Sequence, residues 1–197
     1  MKTILINADN NKNITIDCRN NEKYLLVIDQ EGEYFLQFNF SKQTIRTEIY
    51  GLVIGDNSRI VINSLQCHRM PKTTSVLNFK SILFSGADFE FNGTIRIEKN
   101  ARLANAYQRN DNLLLANTAS CKSRPVLEIL TDNISCTHGA TTGSINEEQL
   151  FYLKTRGLSE KSAKKILTMA FVNDFISNLP DRKPRDKIVN KLNQLYG

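Results

Sequence analysis

No stretch of this 197-residue chain approaches the roughly 18 consecutive apolar residues that a membrane-spanning helix requires. The opening residues, Met1-Lys2-Thr3-Ile4-Leu5-Ile6-Asn7-Ala8-Asp9, are apolar too briefly for a secretory signal and predict a strand. The expected location is the cytoplasm, or an organelle stroma or matrix in a eukaryote. Cysteine is sparse and scattered: Cys18, Cys67, Cys121 and Cys136, with no Cys-x-x-Cys among them. In a cytosolic chain that predicts free thiols, and it excludes a self-contained zinc ribbon or ferredoxin-type cluster motif. There is no Gly-x-x-x-x-Gly-Lys phosphate loop and no dinucleotide fingerprint, so nucleotide chemistry falls to a partner. Histidine is scarcer still, with only His68 and His138.

What is present is ordinary for a globular protein: 41% hydrophobic and 23% charged residues. The net charge of +6 would suit nucleic acid, an anionic surface or an acidic protein partner. The basic residues are nonetheless spread along the chain. Their densest cluster, Arg182-Lys183-Pro184-Arg185 with Lys187, is interrupted by Asp181 and Asp186 and reads as a solvated surface.

Two textures divide the chain. Residues 1–143 carry short runs rich in β-branched and aromatic residues, at 4–6, 14–16, 24–28, 34–40, 44–50 and 59–65. Turn chemistry separates them at Asp9-Asn10-Asn11, Arg19-Asn20-Asn21, Gln30-Glu31-Gly32 and Gly55-Asp56-Asn57. Strict alternation over residues 34–40 and 94–98 puts every second side chain toward a core. Phe89-Glu90-Phe91-Asn92-Gly93 reads as a strand ending in a turn. Strands recurring about every 10 residues suit a sandwich, a barrel or a β-solenoid, and the asparagine tips lean toward the solenoid.

Residues 144–197 read as helices. Ser144-Ile145-Asn146-Glu147 has the form of a capping box ahead of a short helix stopped at Gly157. Ser159 caps a second helix, whose predicted apolar face is Ala163, Ile166, Leu167, Ala170, Phe171 and Phe175. Pro184 opens a last basic helix with Ile188, Leu192 and Leu195 on one side. The helical hairpin around Gly157 suits either a DNA-binding module or a docking surface whose lysines face water.

Each histidine lies beside a cysteine. Cys67 and His68 are adjacent, so a strand would send them to opposite faces. Cys136 and His138 are two apart, so a strand would present both on one face, half of a soft metal site. Two ligands are too few for tight binding, which implies a site completed by another chain, or no metal at all. A cysteine nucleophile with a histidine base is the other chemistry open to the pair, but no oxyanion-hole signature accompanies it.

The stretch Arg124-Pro125-Val126-Leu127-Glu128-Ile129, followed by Cys136-Thr137-His138-Gly139-Ala140-Thr141, resembles the core motif of the SufB/SufD family of iron–sulfur cluster assembly proteins. The resemblance continues through Asn146-Glu147-Glu148-Gln149-Leu150-Phe151-Tyr152-Leu153 to Arg156-Gly157-Leu158. Upstream it includes Phe91-Asn92-Gly93, Asn105-Ala106-Tyr107-Gln108 and Asn112-Leu113-Leu114-Leu115. It implies a mainly β chain: a right-handed parallel β-helix over 1–143 and a C-terminal α-helical appendage over 144–197. It also implies a non-catalytic scaffold with two partners, a SufC-like ATPase on the helical region and a SufB-like subunit, or a second copy, through the β-helix.

Under that resemblance no cofactor is bound stably by the isolated chain. Iron or a cluster passes transiently through a subunit interface at Cys136 and His138. The ATPase-docking region is Glu147, Phe151, Tyr152, Arg156, Gly157 and Phe171. Cys121 and His68 are weaker candidates. Asn110 stands where SufB-type chains carry the sulfur-accepting cysteine, and Gly139 where they carry glutamate, so the resemblance is to the SufD branch. The alternatives are a self-pairing scaffold and a basic nucleic-acid-binding module. Family members are about twice as long, and residues 1–16 are the candidate cap for a shortened solenoid.

Overall fold

The computed structural model describes residues 2–7 and 11–196, so Asp9 and Asn10 of the first expected turn, and Met1 of the expected cap, lie outside the described residues. Eleven strands wind through the described residues. They are β1 (Lys2–Asn7), β2 (Asn13–Cys18), β3 (Glu22–Ile28), β4 (Gly32–Phe40), β5 (Arg46–Gly55), β6 (Arg59–His68), β7 (Thr74–Leu83), β8 (Asp88–Ile97), β9 (Asn105–Leu114), β10 (Ser120–Ile129) and β11 (Ser135–Ser144). Odd strands form one sheet, ordered β1-β3-β5-β7-β9-β11, and even strands form the other, ordered β10-β8-β6-β4-β2. Every pairing is parallel, between strands two apart in sequence. Such an order requires the chain to coil, giving one strand to each sheet per coil. The molecule is a parallel β-solenoid.

Alternation explains the coil interior. In β8, Phe89, Phe91, Gly93, Ile95 and Ile97 are buried while the residues between them are partly exposed. Register then stacks equivalent positions into columns, such as Tyr34–Ile62–Phe91 and Leu26–Gly51–Phe79. Each burial of a large apolar side chain contributes about 1.5–3 kcal/mol. The expected turn at Gly93 is absent: β8 runs straight through it, because the opposite sheet fills the space a Cβ would need. Cys67 and His68 are both buried and take opposite faces as expected: His68 stacks inward on Phe40, while Cys67 lies in register with the outward positions Asn39 and Arg96.

The corners explain why no sequence repeat is visible. Each return from the even to the odd sheet, from β4 onward, places one residue at positive φ: Thr44, Lys72, Leu103 and Asn133. Backbone bonds join these corners from coil to coil, as from Lys72 N–H to Arg102 O and from Leu103 N–H to Asn133 O. The repeat is one of conformation, carried by four different residue types.

Three helices follow: α1 (Glu147–Thr155), α2 (Glu160–Ser177) and α3 (Arg182–Leu195). None is long and apolar enough to cross a membrane. Ser144 is still in β11, so it cannot cap α1; Asn146 does, accepting from Gln149 N–H at 2.9 Å. Ser159 caps α2 as expected, through Ser162 N–H. Helices α2 and α3 lie against the outer side of the odd sheet. Val172, Phe175, Ile176, Leu179, Ile188 and Leu192 share a core with Leu25, Leu52, Ile54, Ile82 and Phe84. Lys80 locks α2 in place, donating to Phe171 O and Asp174 Oδ1. The buried side of α2 is therefore Ala163, Thr168, Val172, Phe175 and Ile176, rotated from the expected one, and Ile166 and Ala170 face out.

His68 is a core residue. Its ring stacks on Phe40 at 4.3 Å, and its two nitrogens bond Thr73 Oγ1 and Ser75 Oγ at 2.7 and 2.8 Å. Burial pushes the imidazole down from 6.5 to about 4. Between those values the unfolded chain takes up the proton and the folded chain resists it. Stability is therefore full above pH 6.5 and falls as pH drops toward 4, by about 3 kcal/mol in all. Between about pH 7.5 and 5.5 the expected loss is about 1 kcal/mol, read as a lower urea midpoint. His68→Gln should be less stable overall but should lose less than half of that increment. An equal loss in the variant would show that His68 is not the titrating group.

Candidate functional site at the open end of the solenoid

Strands β10 and β11 form the last coil, each pairing along one edge only among the described residues. Among the described residues no strand stacks above their inward side chains. Register continues the columns to this end: Gln108 to His138, Ala106 to Cys136, Asn110 to Ala140, Asn112 to Thr142, and Phe89 to Cys121. The pair Cys136 and His138 thus shares the inward face, as their spacing requires. Beside them Val126, Leu127, Ile129 and Leu130 are exposed, Leu130 at 53%. Two unpaired strand edges with uncovered aliphatics form a surface that soluble folds normally keep covered.

Beneath this end the lumen holds a polar cluster of Ser81, Gln108, Asn110, Asn112 and Ser123. Asn112 holds this network together. Its Oδ1 accepts from Ser81 Oγ at 2.7 Å, and its Nδ2 donates to Asn110 Oδ1, Thr141 O and Thr142 Oγ1 at 2.9–3.2 Å. Asn110 also accepts from Ser123 Oγ. Gln108 reaches across the lumen, donating from Nε2 to Gly93 O at 3.2 Å.

The two sulfurs of the last coil differ in surroundings. Cys136 packs with Ile95, Ile97, Ala101, Ala104, Ala106 and Ile134, and burial alone pushes its thiol up. Cys121, at the start of β10, is also pushed up by burial, but Thr142 and Ser123 oppose this through hydrogen bonds to its sulfur. Cys18 and Cys67 lie in the core, and burial drives the Cys18 thiol up to about 12. Among the described residues no group of three or more Cys, His, Asp or Glu gathers to hold a metal.

Helix α1 leaves β11 through only Ile145 and Asn146, and Leu150 is its single buried residue. Phe151 is 69% exposed and Tyr152 56%, and the Arg156 guanidinium lies 5.2 Å over the Tyr152 ring. Glu147 and Gly157 are exposed too, Gly157 at positive φ where α1 ends. Phe171 is set apart from these five: it is half-buried under Lys80, on the side of α2 turned to the sheet. In the basic helical region Lys154 and Lys164 pair with Glu160, Arg182 lies near Asp186 and Lys191 near Asp29.

Alkylation should separate the four thiols. With iodoacetamide on the native chain, Cys136 and Cys121 should be modified roughly tenfold or more faster than Cys18 and Cys67, which should react only after unfolding. Mass spectrometry of tryptic peptides reads this directly, and equal labelling of Cys18 would contradict its placement.

Residues 34–171 match the family profile described as SUF system FeS cluster assembly, SufBD core domain. The chain is 30% identical to the iron–sulfur cluster assembly protein SufD of Escherichia coli K12, covering 86% of this chain and 44% of that protein. It is 31% identical to a SufBD family protein of Synechocystis, over 74% of this chain and 32% of that one. It is 36% identical to the SufB of Bacillus subtilis, over 57% and 24% respectively. The chain thus spans less than half the length of these relatives. With most of its length inside the core-domain profile, on a parallel β-solenoid, this chain belongs to the SufB/SufD family of iron–sulfur cluster assembly proteins.

Proposed function

We propose that the chain is a SufD-type scaffold subunit, which pairs its open solenoid end with a SufB-type subunit and offers α1 to a SufC-type ATPase. The carrying observation is the incomplete donor set: Cys136 and His138 face the same way at an end along which no described strand pairs. A partner closing that end would bury Leu127, Ile129 and Leu130 and pair the free strand edges. It would also bring further ligands to iron or a nascent cluster, the cargo of the site. Chemistry on nucleotide belongs to the ATPase, and the chain itself contributes ligands and surfaces.

The SufD branch is supported at two positions. Asn110 takes part in the lumen's amide network and has no sulfur to offer. Gly139 points outward, opposite to His138, with no atom within 4 Å of where a Cβ would stand. A glutamate would fit there, so its absence is not imposed by packing. On α1, Phe151, Tyr152 and Arg156 form an exposed aromatic and cationic patch of the kind that anchors protein interfaces.

Co-expression with SufB-like and SufC-like subunits from one genome tests each contact. Phe151→Ala with Tyr152→Ala should weaken ATPase binding by about 30-fold or more while leaving the SufB-like subunit bound. Leu130→Asp should do the reverse. His138→Ala should leave the complex assembled yet lower cluster yield. A complex that fails to form with wild-type chain would sink the assignment; normal cluster yield from His138→Ala would remove the site.

A further inference from the structure

Directly beneath the Cys136–His138 pair lies a buried acceptor with no donor. Gln108 is only 2% exposed, and its Oε1 has no hydrogen-bond partner. Leaving a buried acceptor unpaired is costly, so a donor is called for. The side chain is held in place from the far sheet: Nε2 donates to Gly93 O, which turns Oε1 away from Gly93. Gly93 is what admits the amide, since a Cβ there would stand 2.1 Å from Nε2.

The column decides where the donor comes from. Gln108 stacks on Leu77 below and under His138 above, with strand backbones about 4.8 Å apart. Leu77 has nothing to donate. An imidazole N–H does. Of the other orphaned buried atoms, Gln66 Oε1 finds no imidazole N–H, because both nitrogens of His68 are bonded to Thr73 and Ser75, and Thr47 Oγ1 lies against the Cys18 thiol. Cys136, by contrast, rests on Ala106, an apolar floor.

We propose that Gln108 is the positioning residue for His138: its Oε1 accepts one imidazole N–H, holds the ring in one tautomer, and leaves the other nitrogen's lone pair directed out of the open coil toward iron. A ligating histidine is commonly fixed in this way by a carbonyl or carboxylate on its remote nitrogen. The inference rests on reading Cys136 and His138 as the ligand pair. It assigns a role to the Asn105–Gln108 and Phe91–Gly93 motifs together, one carrying the amide and the other making room for it.

The ring 15N shifts of the full chain test it without any metal. Only two histidines contribute, and His68→Gln identifies the His138 signals. At about pH 8.5 the two His138 nitrogens should show the wide separation of a single tautomer. Gln108→Met keeps the length and removes the acceptor, and should collapse the separation toward that of a free imidazole. Gly93→Ala, acting from the other sheet, should do the same by displacing the amide. Gln108→Glu retains an oxygen and should preserve the separation. Unchanged His68 signals certify the fold in each variant.

Mixed tautomers in the wild type, or no response to either Gln108→Met or Gly93→Ala, would overturn the proposal. In the assembled complex at limiting iron, Gln108→Met should lower cluster yield roughly tenfold and Gln108→Glu should restore it. Cluster yield indifferent to Cys136→Ala and His138→Ala would instead defeat the ligand-pair reading, whatever the ring shifts show.

Discussion

Each inward side chain rests on its counterpart one coil below, and the parallel register that enforces this contact organises the molecule. Because the partners are fixed, size must be complementary along a column rather than across a general core. Gly51 lies under the Phe79 ring, where a Cβ would be 2.1 Å from the nearest ring carbon. Phe40 and His68 lie flat on one another. The helices depend on the same stacking, since the outer side of the odd sheet that receives α2 and α3 exists only while β3, β5 and β7 stay in register.

Stacking also carries polarity along the axis. A polar residue in one coil favours a polar neighbour in the next, because a buried donor or acceptor needs a partner. The amide network of Asn110 and Asn112 reaches Ser123 and Thr142, and the Gln108 column ends in His138. His138 is therefore continuous with the polar lumen below it, whereas Cys136 stands on apolar Ala106.

Much of this was legible in the sequence. Alternation revealed the strands, the spacing of Cys136 and His138 showed that they share a face, and capping chemistry marked α2. Other features depend on contacts between residues far apart in the chain. The corner repeat is hidden because Thr44, Lys72, Leu103 and Asn133 adopt one backbone conformation with four side chains. Gly93 reads locally as a turn, and only the arrival of Gln108 from the opposite sheet explains it in mid-strand. The apolar residues of α2 form two stripes, one against the sheet and one left open, and periodicity does not say which is which.

A coil with neighbours on both sides is constrained twice, and the last coil only once. Substituting Phe79 or Phe91 removes a layer from the middle of the stack and leaves a cavity, at about 3–5 kcal/mol for alanine. The same exchange at Leu127 or Ile129, half open to solvent, removes far less from the fold. Among descendants of this sequence, inward positions such as Leu127 and Ile129 are therefore freer to drift as far as folding is concerned. Invariance found there would measure what meets that end, and not what holds the coil together.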